Sequence, residues 1–298
     1  MLILDEAAVR KLLRMQALIP AMEQALRALS AGEVVQPMRV VVPVAGQGGF
    51  LGSMPACAGG TLGIKVVTFY PDNQGVPTHH ALVLLFRPET GEPLVVMDGR
   101  LITEMRTGAV SAVATRLLAR PDSSVLAILG SGVQAQSHLE ALRLVRQFRE
   151  IRVWSPNNAA AFAHRFGAQL ARSAEAAVRG ADVVVVATTS RTPVLSGEWL
   201  SPGAHINAVG AARPDWRELD DAVLRNAKLY VESREAASRE SGDVIAAGTI
   251  FAEIGEVIAQ TRAGRSSAGE LTLFKSVGVA VEDLASAELV YRAALAAA

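Results

Sequence analysis

The segment Val125-Leu-Ala-Ile-Leu-Gly130-Ser131-Gly132-Val133-Gln134-Ala135 constrains this chain more than any other. Five apolar residues in a row read as a strand buried on both faces, and the glycines then turn the chain into a helix. Gly130 permits a tight turn, Gly132 keeps a Cβ out of the path of a pyrophosphate, and Ala135 lets helix and strand pack closely. The helix start offers unpaired N–H groups and a positive dipole end to phosphate. Taken alone, this is equally an ordinary strand–turn–helix connection. The pattern beyond it decides. A helix over 135–148, a strand over 151–154, a helix over 159–170 and the apolar run Val183-Val-Val-Val186 follow in turn, with further strands expected over 205–209 and 229–231. Strand alternating with helix predicts a doubly wound parallel sheet. Ser131, Val133 and Gln134 share the turn, and Thr188 stands at the carboxyl end of a buried strand, so both segments offer candidate dinucleotide ligands.

The end of the second strand selects the coenzyme. NAD sites usually carry an acid there for the ribose 2′-OH. Here Ile151-Arg-Val-Trp154 runs into Ser155-Pro156-Asn157-Asn158. No carboxylate stands ready to repel a 2′-phosphate, and Ser155, Asn157 and Asn158 can donate hydrogen bonds. That favours NADPH, with NADH also admissible because no arginine follows immediately.

Before this region the pattern differs. Residues 1–36 read as a short strand-like start and then helix. From Pro37 to Val96, short β-branched runs such as Arg39-Val-Val-Val-Pro-Val44 and Ala81-Leu-Val-Leu-Leu-Phe86 alternate with turn clusters such as Pro71-Asp-Asn-Gln-Gly75. That predicts an antiparallel sheet of hairpins. An Ala-rich helix is expected over 103–120, and the chain turns helical again after Phe274.

Composition sets outer limits. A chain of 298 residues suggests two domains. Lys and Arg number 29 and Asp and Glu 29, so the basic footprint of a nucleic-acid binder is missing. The single cysteine, Cys57, excludes a disulfide framework. The start, Met1-Leu-Ile-Leu-Asp-Glu6, is acidic where a signal peptide is basic, and no apolar run reaches the ~18 residues of a membrane span. A cytoplasmic protein without membrane partners is the expectation. His79, His80, His138, His164 and His205 form no metal-ligand motif, so no metal is expected.

Several further strings carry a resemblance: Gly49-Phe-Leu-Gly-Ser-Met-Pro55, Lys65-Val-Val-Thr-Phe-Tyr70, Arg106-Thr-Gly-Ala-Val-Ser-Ala112, Arg213-Pro-Asp-Trp-Arg-Glu-Leu-Asp-Asp221 and Phe274-Lys-Ser-Val-Gly278. With the glycine turn, they make nearly the whole chain resemble the ornithine cyclodeaminase/μ-crystallin family, on its ketimine reductase branch. The resemblance implies a substrate-binding and dimerisation domain over 1–115 completed by 279–298, and a Rossmann domain over 116–278. It also implies a homodimer whose sheets join into a shared barrel. By the same resemblance, Arg39, Lys65 and Arg106 hold the carboxylate of an imino or amino acid, Lys65 and Arg106 being the catalytic pair. Guanidinium and ammonium groups suit that task. Met54 and His79 would also contact substrate, with His79 a candidate proton relay, and the loop from Lys275 to Gly278 would lie near the nicotinamide.

One departure separates the branches. Ornithine cyclodeaminases place an Asp where this chain has Ala212, and the acid before their Met-Pro pair is missing from Phe50-Leu-Gly-Ser-Met54. The implied activity is therefore NAD(P)H-dependent reduction of a cyclic ketimine such as 1-pyrroline-2-carboxylate or 1-piperideine-2-carboxylate. Ornithine cyclodeaminase or alanine dehydrogenase-like activity is the enzymic alternative, and a coenzyme-loaded crystallin-like binding protein is the alternative of another class.

Overall fold

The computed structural model describes residues 1–297. The chain runs β1 (Leu2–Leu4), α1 (Glu6–Leu12), α2 (Met15–Ser30), β2 (Val34–Val35), β3 (Val40–Val44), β4 (Gly49–Ala58), β5 (Thr61–Phe69), β6 (His79–Phe86), β7 (Pro93–Asp98) and α3 (Arg100–Leu118). It continues through β8 (Val125–Leu129), α4 (Val133–Leu142), β9 (Glu150–Trp154), α5 (Ala159–Phe166), β10 (Gln169–Leu170), α6 (Ala174–Val178), β11 (Val183–Val186), β12 (His205–Ala208) and α7 (Asp221–Asn226). The last elements are β13 (Ala227–Val231), α8 (Arg234–Glu240), α9 (Gly242–Ala247), β14 (Ala252–Glu253), α10 (Ile254–Ile258), β15 (Leu271–Lys275) and α11 (Ala280–Ala296). Two compact units result. One joins Met1–Arg106 to the C-terminal stretch from Val279; the other is Thr107–Gly278. No helix of the described residues is long and apolar enough to cross a membrane.

The discontinuous unit is built on a sheet of order β1-β7-β6-β5-β4-β2, with β3 also paired to β4. Strands β2 to β7 pair antiparallel, and β1 joins β7 in parallel. Gly59 and Gly60 link β4 to β5 with φ of 54° and 79°. Both central residues of such a two-residue hairpin must take positive φ, which glycine does without a Cβ penalty. The turn sets the register: Met54 pairs with Lys65, Lys65 with Val83, and Phe69 with His79. Because side chains alternate along a strand, Met54, Lys65 and His79 project from one face. Helix α11 packs against β4, β5 and β6 and against α2. The opposite face leaves Val40, Val42, Leu51 and Leu82 open to solvent, at 59%, 52%, 39% and 51% exposure.

The continuous unit holds an all-parallel sheet of order β10-β9-β8-β11-β12-β15-β13-β14. Strand order reverses between β8 and β11, which makes their carboxyl ends the switch point where ligands bind in such sheets. Every residue of β8, β11 and β12 is buried. The α/β class is as expected, but several boundaries differ. Helix α4 stops at Leu142, and Arg146 beyond it turns its guanidinium to the carbonyls of Thr115, Arg116 and Ala119 at 3.2–3.3 Å. Helix α5 stops at Phe166 because Gly167 takes φ 66° and caps it. Strand β15 lay outside the periodicity reading, although it pairs with both β12 and β13.

Candidate active site

Lys65 lies mid-strand on β5 and is 2% exposed. A lysine there is buried at a cost of several kcal/mol unless it finds a counter-charge. It finds Asp283, whose Oδ2 is 2.6 Å from its Nζ. The same carboxylate accepts from Arg106 Nε through Oδ1 at 3.2 Å, and Glu282 Oε2 accepts from Arg106 Nη1 at 3.1 Å. Arg106 is 5% exposed, and both acids are fully buried. The acids sit in the first turn of α11, where carboxylates also favour the helix dipole. Asp98 opens α3, its Oδ1 accepting from the N–H groups of Arg100 and Leu101 at 3.0 and 3.3 Å, and so fixes the start of the helix that carries Arg106.

Arg39 just precedes β3 and is half-buried, and its charge reaches Lys65. Met54 is buried on the Lys65 face, and His79 opens β6. The structure thus brings Arg39, Met54, Lys65, His79 and Arg106 together. Burial drives the Lys65 ammonium down to about 8, with Asp283 opposing the fall and the Arg106 and Arg39 cations adding to it. Burial and the Lys65 and Arg106 cations push His79 down to about 4, so its imidazole is neutral at pH 7. Burial works against ionisation of Asp283, but Lys65 and Arg106 hold its carboxyl below the ordinary range. His79 therefore has no imidazolium proton to give near neutrality. Lys65 does.

Asp283 and Glu282 were not legible as site residues. In the string Val281-Glu-Asp283 they look like the acidic first turn of any helix, and the only signal was a pair of acids opening an otherwise Ala-rich segment.

In the continuous unit, a cleft of about 450 Å³ opens at the strand-order reversal, lined by the ends of β8, β9 and β11. Gly130 has φ 120°, and a Cβ there would lie 2.3 Å from the Ala187 carbonyl oxygen, so only glycine fits. At Gly132, by contrast, a Cβ would meet nothing within 4 Å. This open space, at the residue that caps α4, lies where a phosphate would sit on a helix N-terminus. Ala135 is fully buried. Gln134 is half-buried, while Val133 is 53% exposed beside the turn. Ser131 Oγ bonds Ser155 Oγ at 2.8 Å and the Asn157 carbonyl at 2.9 Å, tying the glycine turn to the loop after β9. Asn157 and Asn158 are exposed on the cleft wall. Asn158 takes φ 61°, a left-handed conformation that Asn tolerates better than most residues. These residues form a cradle that a dinucleotide fits.

Thr188 also lines the cleft. Its N–H and hydroxyl donate to Glu218 Oε1 at 2.8 and 2.7 Å, while the N–H groups of Gly210 and Ala211 donate to Oε2 at 2.7 and 3.1 Å. Glu218 thereby fastens the loop after β11 to the loop after β12. The approach is so close that a Cβ on Gly210 would lie 2.3 Å from Glu218 Oε1. Burial raises the Glu218 carboxyl, and the Lys275 cation and Thr188 donors oppose the rise. Lys275 is fully buried, its Nζ 3.4 Å from Asp243 and 3.8 Å from Glu218. It faces those acids and is absent from the cleft lining. Gly278 donates its N–H to buried Glu232 at 3.3 Å and is likewise outside the lining.

A model of the ornithine cyclodeaminase/mu-crystallin family matches residues 1–298. The chain belongs to that family. Among its relatives there, the ketimine reductase mu-crystallin of Mus musculus is 53% identical over 286 residues, covering 92% of this chain and 91% of that protein. The Thermococcus litoralis Δ(1)-pyrroline-2-carboxylate reductase, solved in complex with NADH and L-proline, superposes with a TM-score of 0.95 at 40% identity, covering 100% of this chain and 98% of that one. An archaeal alanine dehydrogenase dimer with bound NAD gives 0.94 at 38% identity, over 99% and 96%. A parallel dinucleotide-type sheet in one unit and a mainly antiparallel sheet in the other are thus the family architecture in this chain.

Proposed function

We propose that this family member is an NAD(P)H-dependent reductase of cyclic ketimine acids, converting 1-pyrroline-2-carboxylate or 1-piperideine-2-carboxylate to the cyclic amino acid. The observation that carries the reading is the buried Lys65–Arg106 pair, two cations held side by side by Asp283, with Glu282 also pairing with Arg106. The 53% identity to a ketimine reductase supports it.

Arg39, Lys65 and Arg106 bind and orient the substrate carboxylate, and the apolar Met54 side chain packs beside it. Charge-assisted bonds in a dry pocket give both hold and angle. NAD(P)H, when bound, supplies the hydride that the imine carbon takes up. Gly130, Ser131, Gly132 and the α4 N-terminus hold its phosphates, and Thr188 lines its cleft. Reduction of C=N also needs a proton on nitrogen. His79 is neutral near pH 7 and arginines keep their protons, so Lys65 is the cluster residue able to pass one on.

Exposed Asn157 and Asn158, with half-buried Ser155 before them, support a preference for NADPH. The open apolar strand face around Val42 and Leu82 supports a homodimer, as does the dimeric alanine dehydrogenase neighbour. The test is a panel assay with both coenzymes against the two cyclic imines, pyruvate plus ammonia, and ornithine. Imine reduction at a rate well above the other three is expected; turnover of ornithine alone overturns the reading.

A further inference from the structure

The acids at the start of α11 have no part in that reaction scheme, and stability does not account for them. Four charged groups, Lys65, Arg106, Glu282 and Asp283, are 5% exposed or less. Buried ion clusters are commonly no more stable than apolar residues of the same volume. A lysine ammonium buried inside a strand is costly unless it is paired.

Resting on the reductase reading, we propose that Asp283 is a positioning residue: one carboxylate grips Lys65 through Oδ2 and Arg106 through Oδ1, so that the two cations meet substrate as a single rigid unit, while Glu282 holds Arg106 from a second side. The spacing fits. Oδ2 is 2.6 Å from Lys65 Nζ, and Oδ1 is 3.2 Å from Arg106 Nε. A carboxylate on one helix thereby fixes the side chains of a strand and of another helix, which strand packing alone does not do for groups this long. A second effect follows from charge. The groups around Lys65 are Asp283 from α11, Arg106 from α3, Arg39 before β3 and His79 on β6. The arginines are cationic and His79 is neutral near pH 7, so Asp283 is the anion that keeps the ammonium protonated at working pH.

The experiment separates position from charge. Asp283→Asn removes the charge with little change of shape. The basic limb of kcat/KM for the cyclic imine is expected to move to lower pH by about one unit or more. The Lys65 signal in 13Cε-lysine NMR, assigned with Lys65→Arg, is expected to titrate lower by the same amount. Asp283→Glu keeps the charge but displaces it by a methylene, so the limb stays while KM for the imine rises about tenfold or more. Coenzyme affinity is expected to be unchanged in both, and Glu288→Gln on the same helix leaves every reading at its wild-type value. An Asp283→Asn enzyme with wild-type limb and titration overturns the proposal; if that variant does not fold, an unchanged KM in Asp283→Glu does so. If the wild type reduces neither cyclic imine, the reductase reading falls, while the Lys65 titration still decides whether Asp283 holds the cation.

Discussion

The carboxylate of Asp283 and the ammonium of Lys65 stand 2.6 Å apart with neither side chain open to solvent. They lie far apart in the sequence, so the cluster depends on a contact between β5 and α11.

Removing either cation should be felt in substrate handling and not in coenzyme binding. Lys65→Ala and Arg106→Ala are each expected to lose about 10- to 150-fold in kcat/KM, the equivalent of about 1.5–3 kcal/mol for a charged hydrogen bond. Coenzyme dissociation constants, measured by fluorescence titration, should stay within twofold, since the cleft lies in the other unit. Lys65→Ala also strands Asp283 in the interior, so its melting temperature should fall as well.

Ser155→Asp addresses coenzyme choice. The wild type is expected to prefer NADPH. The substitution breaks the Ser131–Ser155 hydroxyl contact and sets a carboxylate against a 2′-phosphate, shifting the ratio of kcat/KM values toward NADH. Equal constants for the two coenzymes in the unmodified protein would remove this segment from the explanation.

Ornithine should not be cyclised at a meaningful rate. Ala212 cannot accept a proton from an α-amine, and the acids nearest in sequence are committed elsewhere. Glu218 is fully buried and accepts four hydrogen bonds, from Thr188, Gly210 and Ala211. Asp215 is exposed and pairs with Arg213 at 3.4 Å. An assay following proline and ammonia from ornithine with NAD, run beside imine reduction, checks this. Robust proline formation would transfer the chain to the cyclodeaminase branch.

Glu218→Gln tests the clamp behind the cleft. An amide nitrogen replaces one acceptor oxygen, so at least one pair of donors among Thr188, Gly210 and Ala211 loses its partner. Weaker coenzyme binding by about tenfold is expected, since one unmet buried donor costs about 1–3 kcal/mol, with the imine KM little changed.

Acid should destabilise the protein through its buried histidines. His138 is held to about 4 and His205 to about 3, chiefly by burial, against the ordinary 6.5 of an unfolded chain. Below pH 6.5 the unfolded state binds protons that the folded state refuses, so stability falls as pH falls and is regained toward neutrality. The loss from the two residues is on the order of several kcal/mol by pH 4. Urea unfolding at pH 7, 5.5 and 4.5 measures it, and His138→Gln should flatten the slope.

The glycine turn and the parallel sheet were legible because both rest on local rules: an unbroken apolar strand, a turn that only glycine can make, and a small residue against the strand. The hairpin region was legible as a class but not strand by strand. Strand β4, Gly-Phe-Leu-Gly-Ser-Met-Pro-Ala-Cys-Ala, contains residues that weaken strands in isolation, and it is held by pairing on both sides with β3 and β5. Lys65, Arg106 and Arg39 were found through resemblance. Their acidic partners were missed because an ion pair bridging the two ends of a chain leaves no trace in local spacing. Lys275 was placed near the nicotinamide by resemblance as well, and its closeness to Asp243 and Glu218, at 3.4 and 3.8 Å, is likewise invisible in local spacing.

The placement of Asp283 on the last helix has a consequence for how the molecule is made. The unit 107–278 is one uninterrupted stretch and can fold as soon as it emerges during synthesis. The other unit cannot. Until α11 has left the ribosome, Lys65 and Arg106 have no acid from that helix to neutralise them, and the sheet face that α11 covers stays wet. Its closure needs contacts far apart in sequence, so it is expected to form more slowly than the continuous unit. A variant lacking α11 is therefore expected to keep the fold of the 107–278 unit and to lose both acids that hold Lys65 and Arg106.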